Sequence, residues 1–506
     1  MDPCVAETKY GALKGEYRDG VFIWRGVPYA AAPDGDNRFG APVPPDRWEG
    51  VRDALEFGPA CPQGGRSTKR AVIRNLSEDC LSLNIWTPAV SGSDSETLEK
   101  STKLPVFIYI HGGSFIEGAG SDAEYEGTKL VSEGDIVLVT VNYRMGILGF
   151  MDFSFLGEEF LPNCGLRDLA MAIRWVYENI EAFGGDKEKI TVGGQSAGAS
   201  CAGVLTMIEE IRPFIKRVIM MSGVPTLLHT TEEAQKIAKR YLEFVEIQDG
   251  ETLKAADAIS LAERQNEFAA FTKLGAAAFS ICVDGEFVKR FPIPAAIDGQ
   301  MSGISMLFGT TREEMSFALK KSLAYIVDIE AARKAGHAAE SHEVKMRILE
   351  TYKRYGKRGE AIMFSDFSFR LPAIWFAEAQ SKHADTWMYR FDYETIAMRI
   401  SDLHAFHSSD VPFLFGNFKA GLARYMVILS LVKKGIQKVH HEFRGDLLTF
   451  IKTGELPWEK CKGKDSPAKC YDLPSYFENA VPYDVKEAYD LTEYRRRSFS
   501  GNSIEL

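Results

Sequence analysis

Residues 190–198 read ITVGGQSAG, and this stretch gives the strongest indication of the fold. The β-branched run at 190–192 predicts a strand, and the small apolar residues at 199–207 predict a helix. Between them, the GQSAG at 194–198 has the G-x-S-x-G pattern of a sharp strand-to-helix turn that presents a nucleophilic serine. Such a turn leaves no room for side chains two residues before or after the serine, which explains the flanking glycines. The stretch therefore predicts a nucleophile, Ser196, at the start of a helix.

A second motif predicts a site for negative charge. The apolar run at 106–110 predicts a strand, and it leads into HGGSF at 111–115, where paired glycines leave two N–H groups free to point at a ligand. Such a loop, together with the N–H that follows the nucleophile, forms an oxyanion hole. We therefore expect Gly112, Gly113 and Ala197 to donate to one carbonyl oxygen. The alternative for the first two is a simple turn at the end of a strand.

The region between residues 80 and 225 alternates short apolar runs with longer amphipathic ones. Strands are predicted at 83–86, 106–110, 136–142, 190–192 and 218–221. A helix is predicted at 166–183, where apolar residues recur at helical spacing and two glycines follow. Because the strands are apolar throughout, helices must cover both faces of the sheet. The predicted class is α/β, with a large mixed, mostly parallel sheet flanked by helices.

The remaining segments complete this prediction. Residues 10–29 favour a small antiparallel meander that leads into the main sheet. The segments around 225–300 and 320–385 are mainly helical in pattern and are expected to cap the sheet edge or the site. A late strand is predicted at 387–393 and a late helix at 436–448. Internal repeats are absent from the sequence, and we expect residues 1–506 to form a single domain.

Composition excludes several classes of protein. The 506 residues are 45 % apolar and 26 % charged, as in an ordinary globular protein, and their net charge is −10. The negative charge argues against nucleic acid or an anionic membrane as a partner. No apolar run approaches the ~20 residues of a membrane-spanning helix. We expect the protein to be a monomer. We expect it in the cytoplasm, because no signal peptide is visible; the alternative is secretion after removal of a leader.

Cysteine and histidine spacing predicts no metal site. Eight cysteines are too few for a disulfide scaffold, although Cys61 with Cys80 and Cys461 with Cys470 are close in sequence. No C-x-x-C motif or Cys/His cluster has the spacing of a zinc site. An H-x-x-H pair at 404–407 has no third ligand nearby. We therefore expect no metal.

Seven stretches of the chain, in the same order, resemble the type B carboxylesterase family. This is the α/β-hydrolase group that includes the cholinesterases and the bacterial para-nitrobenzyl esterases, and the latter look the most similar. The stretches are 22–39 (FIWRGVPYAAAPDGDNRF), 77–88 (SEDCLSLNIWTP), 109–121, 141–150 (VNYRMGILGF), 163–198, 309–314 and 406–417. The resemblance implies the α/β-hydrolase fold and ester hydrolysis through an acyl-enzyme, with no cofactor.

The serine needs a base to remove its proton, and in this fold the order along the chain is serine, acid, histidine. Most of the downstream histidines lie in helical or polar stretches, and we expect them at the surface; they are His229, His337, His342, His383, His440 and His441. The family pattern His-x-x-acid-x-Pro fits His407, with Asp410 and Pro412 in register. It leaves His404 as the alternative base.

The acid of the triad is predicted from one segment of the chain. The residues GTTREE at 309–314 resemble the segment of the family in which the second carboxylate completes the triad. This makes Glu314 the expected acid and Glu313 the alternative. Two residues depart from the family pattern. Met315 stands where relatives usually have glycine, which could reshape the turn that holds the acid. Gln195 stands where relatives usually have glutamate, and the loss of this buried charge is expected to change the pH response.

The resemblance also implies supporting interactions. Two buried ion pairs are expected, Arg38 with Glu78 and Arg144 with Asp168. Ser222, at the end of a predicted strand, either supports the acid through a hydrogen bond or is a plain strand-end serine. The loop between Cys61 and Cys80 is expected beside the mouth of the pocket. Those two cysteines would be bridged under oxidising conditions and open in a reducing cytoplasm.

These inferences predict a serine hydrolase that cleaves carboxylic esters of small to medium, mostly neutral and apolar substrates. An amidase, a thioesterase or a lipase could use the same triad. A non-catalytic binding module on the same fold is a further alternative, since some relatives have lost catalysis.

Overall fold

The computed structural model describes residues 2–64, 75–89, 103–316, 340–428 and 433–500. Its strands are β1 (Val5–Glu7), β2 (Ala12–Lys14), β3 (Glu16–Arg18), β4 (Val21–Pro28), β5 (Val51–Asp53), β6 (Ser82–Pro88), β7 (Leu104–Ile110), β8 (Val137–Val141), β9 (Gly185–Gln195), β10 (Ile215–Met221), β11 (Leu228–Thr230), β12 (Ile281–Val283), β13 (Ser305–Thr311), β14 (Thr386–Phe391), β15 (Pro467–Tyr471) and β16 (Tyr476–Asn479).

The helices lie mostly between these strands. They are α1 (Thr128–Gly134), α2 (Gly146–Phe150), α3 (Cys164–Asn179), α4 (Ala197–Leu205), α5 (Thr231–Phe244), α6 (Gly250–Ala255), α7 (Ala258–Thr272), α8 (Pro292–Ile297), α9 (His342–Tyr352), α10 (Gly359–Ser365), α11 (Leu371–Gln380), α12 (Ile396–Ile400), α13 (Val411–Phe415), α14 (Gly421–Ile428), α15 (Lys433–Thr453), α16 (Tyr483–Asp490) and α17 (Glu493–Ser500). A π-helical turn, Asp366–Arg370, joins α10 to α11.

Eleven of the described strands form the main sheet, in the order β16-β15-β14-β13-β10-β9-β7-β8-β6-β4-β3. All neighbours from β8 to β15 are parallel. The pairs outside this central part are antiparallel. The predicted mixed, mostly parallel sheet is confirmed, and the predicted strands of the 80–225 region overlap β6, β7, β8, β9 and β10. The late strand and late helix overlap β14 and α15.

Two apolar cores lie on the two faces of this sheet. Val106, Ile108 and Ile110 of β7 belong to one core, whereas Phe107 and Tyr109 belong to the other. This division follows from the strand geometry, in which successive side chains point to opposite faces. Helices α3, α4 and α11 cover the first face, and α1 and α15 cover the second. Burial of both faces explains why the central strands are apolar throughout.

The N-terminal prediction was wrong in its arrangement. Residues 10–29 contain β2, β3 and β4, but these do not form one meander. Strand β2 joins β1 and β5 in a separate sheet, in which β2 and β5 are parallel, while β3 pairs with β4 at the edge of the main sheet. Gly15 separates β2 from β3, and a Cβ there would lie 2.3 Å from the carbonyl oxygen of Ile23. The chain therefore changes sheets at this close approach, which a local pattern does not reveal.

The two predicted cap segments are mainly helical where they are described. Residues 225–300 contain α5 to α8, but also the short parallel pair β11 and β12, which was not predicted. In the second segment, residues 320–339 lie outside the described residues. From residue 342 to residue 380 the chain forms α9, α10, the π-helical turn and α11.

Both ion pairs that the resemblance implied are present. Arg144 donates to the two carboxylate oxygens of Asp168 at 2.8 and 2.6 Å, and Arg38 donates to those of Glu78 at 2.6 and 2.8 Å. Arg144 also donates to the backbone carbonyl of Arg38 at 3.0 Å, so the two pairs are connected. Burial opposes the charge of Arg144, but the adjacent Asp168 carboxylate raises the pKa of the guanidinium overall.

The two cysteine pairs differ. Cys61 and Cys80 form a disulfide, whereas Cys461 and Cys470 are buried free thiols. Burial raises the pKa of both free thiols to about 12. Residues 65–74, within the loop closed by the disulfide, lie outside the described part of the chain.

Two histidines expected at the surface are buried. His229 is 3 % exposed and His440 is 7 % exposed. Each ring is adjacent to a backbone carbonyl oxygen at 2.7 Å, that of Ala277 for His229 and that of Phe413 for His440. Burial lowers the pKa of His440 to about 4, so this imidazole is neutral at physiological pH. His337 lies outside the described residues.

Candidate active site

The serine lies at the sharp turn that the sequence predicts. Strand β9 ends at Gln195, helix α4 begins at Ala197, and Ser196 between them has φ 57° and ψ −125°. Non-glycine residues rarely adopt this conformation, which the surrounding structure must hold in place. A Cβ on Gly194 or Gly198 would lie 2.5 or 2.2 Å from the carbonyl oxygen of Ile110. Glycine is therefore required on both sides of the serine.

Glu314 and His407 are in direct contact. Oε2 of Glu314 lies 2.6 Å from Nδ1 of His407. The other carboxylate oxygen, Oε1, accepts from the hydroxyl of Ser222 at 2.7 Å and from the backbone N–H of Thr311 at 2.6 Å. The carboxylate is fully buried, and His407 is 14 % exposed at its side chain. Ser222 therefore forms the hydrogen bond to the expected acid that the sequence left open.

The alternative acid and base make other contacts. The carboxylate of Glu313 forms an ion pair with Arg358. His404 lies between two other carboxylates, with Nδ1 2.7 Å from Glu394 and Nε2 3.1 Å from Asp402. The structure therefore brings together Glu314 and His407, and in the described part of the chain it gives neither alternative a contact with Ser196.

The other imidazole nitrogen contacts Gln195. The side-chain amide nitrogen of Gln195 lies 3.0 Å from Nε2 of His407. Because Nδ1 faces a carboxylate and carries the proton, Nε2 is the acceptor and the amide donates to it. Among the described residues, the Ser196 hydroxyl makes no hydrogen bond to His407. The residue that contacts the imidazole is therefore Gln195, which precedes Ser196 in the chain. The hydrogen bond between the serine hydroxyl and the imidazole is not formed in this structure.

The glycine loop lies against the serine. A Cβ on Gly112 would be 3.1 Å from Cβ of Ser196 and 2.7 Å from Oε1 of Gln195. Gly113 has φ 125°, a conformation that favours glycine. Within the described part of the chain, the N–H groups of Gly112, Gly113 and Ala197 have no hydrogen-bond partner. Gly112 lies against Ser196 and Ala197 follows it in the chain, so at least these two unpaired donors adjoin the serine.

The turn that carries the acid is held by residues that the sequence analysis missed. Nη2 of Arg370 donates to the carbonyl oxygens of Thr311 and Arg312 at 2.7 and 2.8 Å. The N–H of Met315 donates to the hydroxyl of Ser365 at 3.1 Å. Met315 is not among the residues with positive φ, so the turn does not require glycine there. Arg370 lies about 60 residues from its partners, and no local motif marks it.

A phenylalanine ring contacts His407, and a second buried carboxyl lies three residues after His407 in the chain. The ring of Phe369, in the π-helical turn, lies 4.8 Å from the ring of His407. Asp410 is fully buried, and its Oδ2 accepts from the hydroxyl of Tyr389 at 2.8 Å. Burial, together with the negative charge of Glu314, raises the pKa of Asp410 to about 6. The sequence identified Asp410 only as a position in a pattern.

One group of side chains in the described residues has a geometry that could hold a metal ion. Glu133, His440 and His441 place one ligand atom each within 4.8 Å of one another. Nη1 of Arg444 lies 2.5 Å from the Glu133 carboxylate, so a guanidinium already neutralises the only charged ligand. The group includes none of the residues around Ser196.

Comparison with known proteins identifies the family. The profile of the Carboxylesterase family matches residues 2–467. The chain belongs to the carboxylesterase family. It is 34 % identical over 466 residues to para-nitrobenzyl esterase of Bacillus subtilis (strain 168), and this match covers 89 % of the chain and 90 % of that enzyme. It is 30 % identical over 473 residues to phenmedipham hydrolase of Pseudarthrobacter oxydans, with the same two coverages.

Solved structures of the family have the same fold. A PNB esterase superposes on the carboxylesterase with a TM-score of 0.85 at 32 % identity, covering 96 % of this chain and 99 % of that one. These comparisons confirm the predicted α/β-hydrolase fold, and they confirm that the enzyme is a carboxylic-ester hydrolase. None of its described helices has the length and apolar character that crossing a membrane requires.

Proposed function

We propose that the enzyme hydrolyses esters through the triad Ser196, His407 and Glu314 and an acyl-enzyme intermediate. The 2.6 Å contact between Glu314 and His407, beside a serine held in a strained turn, carries the proposal. The carboxylate fixes the proton on Nδ1, so Nε2 presents the lone pair that can accept a proton. Ser196 attacks the ester carbonyl carbon while Nε2 takes the hydroxyl proton.

The negative charge that develops on the carbonyl oxygen needs donors close by. The unpaired N–H groups of Gly112, Gly113 and Ala197 supply them, and loss of one such donor typically costs about 10²–10³ in rate. His407 then returns the proton to the leaving alcohol, which leaves the acyl group on Ser196. Water, deprotonated by the same imidazole, attacks the acyl carbon and releases the acid. Each step uses groups of this chain and water.

Gln195 must yield its contact during this cycle. Its amide occupies Nε2 of His407 at 3.0 Å, the position from which the Ser196 hydroxyl has to be deprotonated. Rotation of the amide frees the lone pair for the hydroxyl. Relatives usually have glutamate at this position, so Gln195 places a neutral amide where they carry a charge. The change in pH response that we expect from this substitution stays a prediction.

The substrates that we propose are small to medium, mostly neutral and apolar esters. The apolar ring of Phe369 against His407 and the net charge of −10 support this preference. The names of two relatives, a para-nitrobenzyl esterase and a phenmedipham hydrolase, also support it. Rates for p-nitrophenyl esters of increasing acyl length would map the acyl preference. A parallel panel of amides, thioesters and triglycerides separates an esterase from an amidase, a thioesterase or a lipase.

The triad is tested most sharply by two adjacent glutamates. Glu314→Gln is expected to lower kcat by about 10⁴, because the imidazole loses the partner that fixes its proton. Glu313→Gln is the matched control and should keep kcat within a few-fold, because that carboxylate pairs with Arg358. Ser196→Ala should abolish labelling by a fluorophosphonate probe. A Glu314→Gln enzyme with wild-type kcat would contradict the assignment, as would labelling that survives Ser196→Ala. A wild-type protein that the probe does not label would favour the non-catalytic alternative.

We also propose that residues 1–506 form one domain and that the enzyme is a monomer that binds no nucleic acid. The negative net charge supports the last point, and sedimentation of the purified enzyme tests the oligomeric state. The cytoplasmic location stays a prediction. The Cys61–Cys80 disulfide supports the alternative of secretion, because disulfides persist in oxidising compartments. Mass spectrometry of the alkylated, unreduced protein from its native source tests this point.

A further inference from the structure

The glycine loop that supplies two of the proposed oxyanion donors has an unusual backbone. Four of its residues have positive φ: Gly113 (125°), Ser114 (57°), Phe115 (62°) and Gly118 (124°). Two of them carry side chains, and such residues keep this conformation only when the surroundings hold it. Inside the loop, Gly113 O accepts from two following N–H groups. The remaining restraints must come from elsewhere in the chain.

A buried glutamine holds the far end of the loop. Gln63 is fully buried, and its Oε1 accepts from the N–H of Gly118 at 2.9 Å, while its Nε2 donates to the carbonyl of Gly118 at 3.0 Å. The same Nε2 is 3.0 Å from the carbonyl oxygen of Cys61. One side chain therefore satisfies both backbone groups of a strained glycine and ties it to the disulfide-bonded segment.

A second buried glutamine reaches the middle of the loop from a cap helix. Gln265 of α7 is fully buried, and its Nε2 donates to the carbonyl of Ile116 at 3.0 Å. A Cβ on Gly146 would lie 1.8 Å from Oε1 of Gln265, so the side chain fits only because residue 146 is glycine. The N–H of Gly146 donates in turn to the carbonyl of Phe115 at 2.5 Å. The helix, the glycine and the loop thus form one bonded unit.

We propose that Gln63 and Gln265 are positioning residues for the oxyanion hole. They act through the loop and do not touch the substrate. The proposal rests on the assignment of Gly112 and Gly113 as oxyanion donors. It implies that the geometry of the donors depends on two segments outside the catalytic core of the sheet, the cap helix α7 and the segment bridged at Cys61.

Gln265→Met separates positioning from general stability. Within the described residues, Oε1 of Gln265 has no hydrogen-bond partner. Methionine has similar volume, so this variant removes one hydrogen bond together with one buried unsatisfied acceptor, two changes that oppose each other in stability. We expect the melting temperature to stay close to that of the wild type. We expect kcat to fall about 5- to 20-fold with KM within two-fold, since the loss is confined to the transition state.

Gln380→Met is the matched control. Gln380, at the end of α11, is also fully buried and also has an unpartnered Oε1 among the described residues, but its Nε2 donates to the carbonyls of Met301 and Ile304 at 3.0 Å. These residues precede β13, at the end of the strand opposite to the acid turn. Because this variant loses two hydrogen bonds and Gln265→Met loses one, it should lose stability, and it should keep its kcat.

Inhibitor affinity tells the two roles apart. An alkyl boronic acid forms a tetrahedral adduct on the serine, whereas a product alcohol binds without one. Gln265→Met should weaken binding of the boronic acid by the same factor by which kcat falls, and it should leave binding of the alcohol unchanged. Gln63→Met should also lower kcat and the affinity for the boronic acid by equal factors. Unchanged kcat and boronic acid affinity in both variants would overturn the proposal, as would losses that follow the melting temperature and appear equally in Gln380→Met. Failure of the proposed triad would look different, because the wild type would then form no adduct on Ser196.

Discussion

The buried carboxyl of Asp410 makes a quantitative prediction about pH and stability. In the folded enzyme its pKa is raised from 3.8 to about 6, first by burial and also by the negative charge of Glu314. The fold therefore binds this proton more tightly than the unfolded chain does. The corresponding stability is fully present below pH ~4 and is lost as the pH rises through about 6. A shift of this size corresponds to ~3 kcal/mol in total, of which ~2 kcal/mol is lost between pH 4.5 and pH 8.

Asp410→Asn removes this titration while keeping the size of the side chain. The amide oxygen can still accept from Tyr389, as the carboxylate does at 2.8 Å. The expected result is that the free energy of unfolding of the variant, relative to the wild type, improves by ~2 kcal/mol between pH 4.5 and pH 8. The absolute difference at one pH also contains the packing of the new amide. Comparing two pH values cancels that contribution.

Urea unfolding followed by tryptophan fluorescence and circular dichroism, at pH 4.5, 6 and 8, provides the measurement. Asp249→Asn is a suitable control, because hydrogen bonds from Thr252 lower the pKa of that exposed carboxyl. Stability from a lowered pKa is lost only as the pH falls through and below the ordinary value of 3.8, so the stability of this variant relative to the wild type should be the same at pH 4.5 and pH 8. A stability difference for Asp410→Asn that is the same at pH 4.5 and pH 8 would show that this carboxyl is not the buried titrating group.

Three further substitutions test the site and its support. Ser222→Ala removes one of the two donors on Oε1 of the acid, and we expect steady-state assays to show a fall in kcat of about 10-fold with little change in KM, the worth of one hydrogen bond to a charged group. Arg144→Met leaves Asp168 buried without its partner, and urea titration should show a loss of ~3–5 kcal/mol that the double variant Arg144→Met, Asp168→Leu largely restores. Gly113→Ala would place a Cβ 1.7 Å from a carbonyl oxygen of its own loop, and kcat should fall by about 10²–10³ while probe labelling shows whether Ser196 stays reactive.

The parts of the fold that could be predicted are those with local signals. The central strands are short apolar runs and the nucleophile turn is a five-residue pattern, so both are visible in the sequence without knowledge of the tertiary structure. The N-terminal strands were recognised as strands, but their pairing depends on β5 and β6, whose paired residues lie about 40 to 70 positions further along. Pairing partners of this kind leave no trace in a local pattern.

The burial of polar residues was hard to predict for the same reason. His440 lies in a helix with a polar pattern, yet the helix packs this residue against Phe413, 27 residues earlier. The supports of the oxyanion loop are more distant still, since Gln265 is separated from Ile116 by 149 residues. A lone glutamine in a helix predicts nothing by itself. The choice of Glu314 as the expected acid and of His407 as the expected base came from the family resemblance, because composition and spacing alone did not distinguish them from other residues.

The carboxylate of Glu314 is surrounded by neutral hydrogen-bond donors and the ring of His407. Its oxygens are held by neutral donors, the hydroxyl of Ser222 and the N–H of Thr311, and by the ring of His407. Across the described ranges, no lysine or arginine forms an ion pair with it. The guanidinium of Arg370, which braces the same turn, is bound to another carboxylate and to backbone carbonyls. The charge of Glu314 is thus solvated by dipoles but not cancelled.

This arrangement matters because the counter-charge arises only during the reaction. A buried carboxylate interacts far more strongly with an imidazolium than with a neutral imidazole. In the proposed mechanism His407 becomes an imidazolium when it takes the proton of Ser196, so its interaction with Glu314 would be strongest in the transition state. An interaction that strengthens in this way lowers the barrier, whereas one that is equal in both states does not. A permanent cation beside Glu314 would stabilise the resting carboxylate and thereby weaken His407 as a base.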